Sequence, residues 1–304
     1  MNVTFFGTGA MASLFAARFA LAGVAEVSVV GTWGEAVAAM RRDGIRIEDA
    51  SGVRVAGVRA AFPDEAVPRA DLAVVLVKSW QTPRVAGCLG GKLKPGGVAL
   101  TLQNGLGNVE ALGVRAWAGV TSEGATSLAP GVVAHRGAGE TCVAAPDGSH
   151  AGLTADAVAG LFRRAGFAAR ACSPERAEGL VWGKLAVNCG INALTALCGA
   201  TNGELLHRRA SAALMERAAS ECAAVARARG IALPFDDAAA AVRAVARRTA
   251  GNRSSMLQDV ARGAQTECDA INGAVAREGR RLGVPVPVNE ALWRMMLAHP
   301  SARG

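Results

Sequence analysis

The first dozen residues constrain the fold of this chain more than any other stretch. Val3-Thr4-Phe5-Phe6 has the pattern of a short buried strand, and it runs directly into Gly7-Thr8-Gly9-Ala10-Met11-Ala12 and an apolar helical pattern to about Leu21. Strand, glycine turn and helix in immediate succession leave few folds open. The glycines permit a tight turn and close backbone approach, and the start of the helix offers unpaired N–H groups to an anion. A second strand, Val27-Ser28-Val29-Val30, follows the turn at about 20 residues, as a β-α-β unit requires. In such a unit Gly7, Thr8, Gly9, Ala10, Met11 and Ala12 border a dinucleotide pyrophosphate, with Ala12 standing where the fingerprint takes a third glycine or alanine.

Two later apolar runs read as buried parallel strands. Asp71 to Val77 ends at Lys78-Ser79-Trp80-Gln81, and Val98 to Leu102 ends at Gln103-Asn104-Gly105. Ligands of open α/β sheets bind beyond the carboxyl ends of strands, which places Lys78 and Asn104 to line a cofactor crevice. Asn104-Gly105 equally suits an ordinary turn. Further strand patterns cover 119–127, 131–135, 141–145 and 167–172, with a helix over 153–165. After Ser173-Pro174, a plausible start for a helix, only helical patterns follow: 174–200, 204–229, 235–248, an interrupted 254–282, and 288–298. The expected fold class is therefore α/β, with a Rossmann-type parallel-sheet domain over 1–172 and an all-α domain over 173–304.

Between Leu180 and Ala200 the chain is apolar except for Lys184, Asn188 and Asn192, which project from one helical face. Burying each such group without a partner costs roughly 1 to several kcal/mol, so a polar stripe in an apolar helix requires something polar to meet it. A small ligand is one such partner. The alternative is structural, with Lys184 reaching to the surface and the two asparagines closing a hydrogen-bond network between helices.

Composition narrows the function classes. The net charge of +8 comes from arginines scattered through helices, and aromatic residues make up only 4% of the chain, which argues against nucleic acid while favouring anionic small ligands. Seven cysteines without a C-x-x-C pair argue against a disulfide framework and a structural zinc site, and no metal is expected. No long uncharged apolar window and no export signal are visible, so the expectation is a cytoplasmic protein without membrane association. With no tyrosine anywhere, a reductase here cannot use a Tyr-x-x-x-Lys dyad, and lysine becomes the leading acid. Gly31-Thr32-Trp33-Gly34, after the second strand, carries neither the acid that holds an NAD ribose nor the arginine that holds an NADP 2′-phosphate, although Arg41 and Arg42 follow in the next helix.

Taken together these words occur in a specific order: the opening glycine motif, K-x-W-Q at Lys78, Q-N-G at Asn104, W-x-K-L-x-x-N-x-x-x-N from Trp182 to Asn192, N-G-E-L at Asn202, S-M-L-Q-D at Ser255 and T-E-x-D-x-I-N-G at Thr266. In that order the sequence resembles the ketopantoate reductase (2-dehydropantoate 2-reductase) family over essentially its whole length. The resemblance implies Lys184 as general acid, Lys184, Asn188, Asn192, Asn202, Asn252 and Ser255 as substrate ligands, and Lys78, Asn104, Ala125 and Glu267 bordering NADP, with Glu267 also near the catalytic lysine. It implies NADPH as cofactor and a place in pantothenate synthesis. Many relatives carry an arginine where Thr32 stands, so NADPH is implied by resemblance and not by this chain's own residues.

The chemistry is consistent with those roles. Attack on a 2-oxo group builds negative charge on oxygen, which an adjacent ammonium stabilises and protonates, and a carboxylate at Glu267 keeps that ammonium charged. Asparagine side chains suit a substrate with a carboxylate and hydroxyls. The expected partner is a small 2-oxo acid; a homodimer is left open. Three alternatives compete: a paralogous reductase of another 2-oxo acid, a member of the broader β-hydroxyacid dehydrogenases, and a non-catalytic dinucleotide sensor.

Overall fold

A computed structural model of the chain describes residues 1–113, 116–146, 149–150 and 152–300. It divides into two compact units, Met1–Gln103 with Gly107–Ala177, and Asn104–Leu106 with Glu178–Gly304.

The first unit is built on β1 (Asn2–Phe6), whose last four residues are all buried. It pairs in parallel with β2 (Glu26–Val30) on one side and β6 (Ala70–Val75) on the other, in a register that aligns Phe6 with Val30 and Val75. Outside these lie β5 (Arg59–Ala61), β7 (Leu93–Thr101), β8 (Ala116–Thr121), β11 (Glu140–Ala144) and β14 (Ala168–Ala171), giving the order β14-β11-β8-β7-β6-β1-β2-β5. From β5 to β8 every pairing is parallel and the order is that of a Rossmann sheet, with its switch point between β1 and β6. The helices α1 (Ala10–Leu21), α2 (Gly34–Asp43), α3 (Thr82–Lys92), α4 (Asn108–Leu112) and α5 (Ala155–Arg164) accompany it. Phe5, Phe15, Phe19, Phe162 and Phe167 fill the core with edge-to-face contacts, Phe5 on Phe19 at 5.2 Å and Phe15 on Phe167 at 4.7 Å between centroids.

Two departures from the sequence reading occur here. Residues 45–61, to which it assigns no element, form β3 (Ile45–Asp49), β4 (Gly52–Ala56) and β5. The expected run over 119–127 is two strands, β8 and β9 (Gly124–Ala129), and they belong to different sheets, β9 joining β4-β3-β10 through β10 (Val132–Gly137). The break falls at Ser122, whose N–H and hydroxyl both donate to the Glu140 carbonyl, and where a Cβ at Gly139 would collide with the Ser122 backbone. A small hairpin, β12 (Ser149–His150) with β13 (Leu153–Thr154), completes the strands.

Cys142 on β11 is disulfide-bonded to Cys172 beyond β14, with Cα atoms 6.3 Å apart. The sequence reading expects no such pairing. The two cysteines are 30 residues apart and meet only because β11 and β14 are neighbours, which spacing does not reveal.

The second unit is helical: α6 (Pro174–Cys198), α7 (Arg209–Ala228), α8 (Ala238–Arg248), α9 (Ser255–Ala261), α10 (Asn272–Leu282) and α11 (Pro287–Ala298). The long 254–282 pattern resolves into α9, an irregular stretch and α10. By length and composition α6 would pass for a membrane-crossing helix, but 67% of its most apolar window is buried among other helices. Away from its polar face, its apolar side chains, among them Trp182, Leu185, Ile191 and Leu194, belong to the buried core of this unit. Glycines permit the packing: a Cβ at Gly183 would lie 2.6 Å from Pro234 and one at Gly190 2.6 Å from the Met215 carbonyl.

Candidate active site

Two sets of groups stand out, one in each unit. In the first, the carboxyl ends of β5, β2, β1, β6 and β7 are tied in one line by Gly31 N–H to Ala61 (3.1 Å), Gly7 N–H to Val30 (2.8 Å), Leu76 N–H to Phe6 (2.9 Å) and Leu102 N–H to Val75 (3.2 Å). Gly7 has φ +124°, and a Cβ there would meet the Leu76 carbonyl at 3.1 Å and Ala12 at 3.3 Å. Only glycine turns the chain this way without strain. Gly9, by contrast, caps α1 with open space where its Cβ would be, and no side chain caps the helix. Its first N–H groups thus have no side-chain competitor for an anion. Ala12 is buried at the close approach to Gly7, as expected of a small third position. These residues fit a dinucleotide pyrophosphate.

Lys78 follows β6 and is half-buried. Gln103, to which the sequence reading gives no role, holds the loop that carries it: its Nε2 donates to the Val77 carbonyl at 2.9 Å and to Thr82 Oγ1 at 2.8 Å. Ala125 sits on β9, opposite His135, and so belongs to the four-stranded sheet.

The second set is in the helical unit. Lys184, Asn188 and Asn192 share one face of α6, Lys184 and Asn188 half-buried and Asn192 buried. Burial pushes the Lys184 ammonium down to about 8, and the charge of Glu267 raises it in part. Glu267 is itself only 6% exposed, so this carboxylate belongs to the interior and is no surface acid. Asn104, Gly105 and Leu106 pack with this unit: Leu106 N–H donates to the Ala270 carbonyl at 3.1 Å, and Gly105, φ +81°, leaves 2.7 Å between a hypothetical Cβ and that same oxygen. Asn104 is thereby brought to the segment that carries Glu267.

That segment is pinned to α6. Asn272, fully buried, donates from Nδ2 to the Cys189 carbonyl at 3.1 Å and to Asn289 Oδ1 at 3.0 Å, while Asn289 donates to the Ala218 carbonyl and Glu221. Cys189 adjoins Asn188, so this buried network holds the turn of α6 that presents the polar face. Asn272 stands within the T-E-x-D-x-I-N-G motif, whose resemblance implies no role for it.

Ser255 opens α9 and is exposed. Its neighbour Ser254 caps the helix, accepting from Leu257 N–H at 3.0 Å, and lies 2.7 Å from Thr195 Oγ1, which also reaches the Ile191 and Asn192 carbonyls on α6. Asn202 N–H donates to the Asn252 carbonyl and Gly203 N–H to that of Ala250, at 2.9 and 3.0 Å. Gly203 has to be glycine because a Cβ would lie 2.6 Å from Ala250. Asn202 Nδ2 donates to Thr249 Oγ1 at 2.9 Å, and its buried Oδ1 has no partner. An orphaned carbonyl oxygen of this kind is satisfied by a hydroxyl. The Asn252 side chain is exposed. Among the described residues no group of three or more His, Cys, Asp or Glu could hold a metal ion.

Comparison with known proteins fits this picture. The family model "Ketopantoate reductase PanE/ApbA" matches residues 3–148, and "Ketopantoate reductase PanE/ApbA C terminal" matches 176–299. The chain belongs to the ketopantoate reductase family. A 2-dehydropantoate 2-reductase of Halobacterium salinarum is 38% identical over 96% of each chain. The crystal structure of a PanE/ApbA family ketopantoate reductase from Ralstonia eutropha has TM-score 0.88 and 34% identity, covering 97% of each chain. D-mandelate dehydrogenase, solved with NADH and anilino(oxo)acetate, shares the fold at TM-score 0.90 and 24% identity over 98% of each chain. The ketopantoate reductase family is one of oxidoreductases, and the Rossmann sheet followed by a helical unit is its architecture here.

Proposed function

We propose that this chain reduces 2-dehydropantoate to (R)-pantoate, a step of pantothenate synthesis in the cytoplasm, with residues 1–172 binding the dinucleotide and 173–304 the keto acid. NADPH is the donor that the family resemblance implies. One observation carries the reading: Lys184, on a face shared with Asn188 and Asn192, keeps an ammonium at about 8 beside the buried carboxylate of Glu267.

A dinucleotide held at the glycine turn would supply the hydride that the keto carbon takes up. Lys184 holds its proton towards the ketone oxygen, stabilises the charge that develops there and then gives the proton up, leaving an alcohol and a neutral amine. Because its acidity lies near neutral pH, the ammonium is both abundant and a competent donor. Glu267 keeps it charged. Asn188, Asn192 and Ser255 supply neutral hydrogen bonds to the carboxylate and hydroxyl of the substrate, the Asn202 oxygen accepts from a hydroxyl, and Asn252 lies adjacent. Gly7 to Ala12 turn around the pyrophosphate, while Lys78, Asn104 and Ala125 are the further contacts that the resemblance implies.

Initial rates of dinucleotide oxidation, followed by nicotinamide absorbance across a panel of branched 2-oxo acids, test the assignment. The expected result is the highest kcat/KM for 2-dehydropantoate. If another 2-oxo acid exceeds it by orders of magnitude, the paralogue reading replaces this one.

A further inference from the structure

The end of β2 is where this chain departs from its family's expected cofactor. Thr32, Trp33, Gly34 and Glu35 are all exposed there, at the strand end that faces the adenosine ribose in a Rossmann sheet. Gly31 brings the Thr8 side chain against that end, since a Cβ on Gly31 would lie 2.5 Å from Thr8 Cγ2. The start of α2 offers N–H groups that attract an anion, but Glu35 already sits in its first turn. Trp33 Nε1 donates to one Glu35 oxygen at 3.3 Å, which orients the carboxylate and leaves its other oxygen to accept hydrogen bonds.

The arginines downstream do not restore a phosphate clamp. Arg41 gives Nε to the Ala60 carbonyl at 2.9 Å, pairs with Glu65, and stacks over Phe62 with Cζ 5.3 Å from the ring centroid. Glu65 in turn accepts from Phe62 N–H at 2.7 Å, so the pair is anchored at both ends. Arg42 is bound to Asp43 at 2.7 Å, at the far end of α2. Of these side chains Arg41 is committed, and Glu35 and Glu65 are carboxylates.

We propose that this chain selects NADH over NADPH, with Glu35 as the specificity-determining residue: its carboxylate accepts from the adenosine ribose hydroxyls and repels a 2′-phosphate. A ribose 2′-hydroxyl donates to such a carboxylate, whereas a 2′-phosphate meets its like charge, and Arg41 is already held by the Ala60 carbonyl, Glu65 and the Phe62 ring. The proposal rests on the dinucleotide-binding reading of the glycine turn and replaces only the identity of the donor.

Calorimetric titration of the full chain with NADH, NADPH, ADP-ribose and 2′-phospho-ADP-ribose tests it without reference to turnover. The expected result is a Kd about tenfold lower for NADH than for NADPH, repeated in the nicotinamide-free pair. Glu35→Gln should shrink that ratio at least threefold, and Thr32→Arg should invert it. Equal affinities, or tighter binding of NADPH by the unaltered chain, overturn the selectivity while leaving the dinucleotide site intact. Failure of all four ligands to bind overturns the dinucleotide reading itself, and the proposal with it.

Discussion

The two units build their sites by different means. In the sheet unit the binding surface is backbone: a glycine at φ +124°, a helix start without a side-chain cap, and strand ends held in line by main-chain hydrogen bonds. In the helical unit the surface is side chain, an ammonium and carboxamides on one face of α6 with the charge of Glu267 acting on the ammonium, and the backbone serves as scaffold. A backbone site fails when a Cβ is added, because geometry is lost. A side-chain site fails when a functional group is removed, and it carries an energetic cost even when intact.

Lys184 exposes that cost. Its ammonium titrates at about 8 in the folded chain against a usual 10.5, so the unfolded chain binds the proton more tightly. The penalty is full below about pH 8 and is relieved as pH rises towards 10.5. Lys184→Met should therefore lower kcat/KM by about 10³-fold, the scale of a lost general acid, and in a Glu267→Gln background, where no carboxylate is left buried opposite the apolar side chain, it should raise stability at pH 7. Steady-state kinetics and denaturant melts at pH 7 and pH 10 read both effects, and the stability gain should fade at the higher pH. Loss of activity together with loss of stability in that background would mean that Lys184 has a structural role.

The opposite behaviour is expected at Gly7. Gly7→Val places a branched side chain at φ +124° and 3.1 Å from the Leu76 carbonyl. Strain of roughly 1–3 kcal/mol in the turn should weaken dinucleotide binding by about 10- to 100-fold and leave the acidity of Lys184 unchanged. Unaltered dinucleotide affinity would show that the turn is not the binding element.

This difference also governs what the sequence made legible. The backbone site is contiguous, Gly7 to Ala12 between a strand and a helix, so its words stand together and carry their own geometry. The polar face of α6 was legible because 3.6-residue periodicity aligns Lys184, Asn188 and Asn192. The supports were not: Asn272 reaches Cys189 across 83 residues and Ser254 reaches Thr195 across 59, and local pattern does not encode such separations. The same holds in part for the three strands of five residues or fewer that follow α2: β3 and β4 pair with each other, but β3 also pairs with β10 and β5 with β2, partners that local pattern does not encode. Composition misled once, at Cys142 and Cys172, since pairing depends on strand neighbours and not on count.

Glu267 links the two ways of building a site, because its charge acts on Lys184 while its backbone shapes the loop. Its carbonyl accepts from Ala270 and Ile271, both at 3.1 Å, and Glu267→Gln leaves those bonds in place. Reduction requires the ammonium, so kcat/KM should be level below pH 8 and decline above it. Removing the charge that raises Lys184 should carry this limb to lower pH. A pH–rate profile for the two proteins decides the matter. An unshifted limb would mean that Glu267 does not act through Lys184.

The smallest expected effect tests whether the side-chain site extends beyond α6. Thr195 Oγ1 lies 2.7 Å from Ser254 Oγ, and Ser254 caps α9 through Leu257 N–H, so Ser255 is placed by a bond that originates on α6. Thr195→Val keeps the shape and removes the hydroxyl. A net hydrogen bond contributes about 0.5–1.5 kcal/mol, so KM for the 2-oxo acid should rise about threefold, with kcat and dinucleotide affinity unchanged. Thr195→Ser should restore it. A fall in melting temperature with no movement of KM would confine Thr195 to packing, and the substrate surface would then end at the polar face of α6.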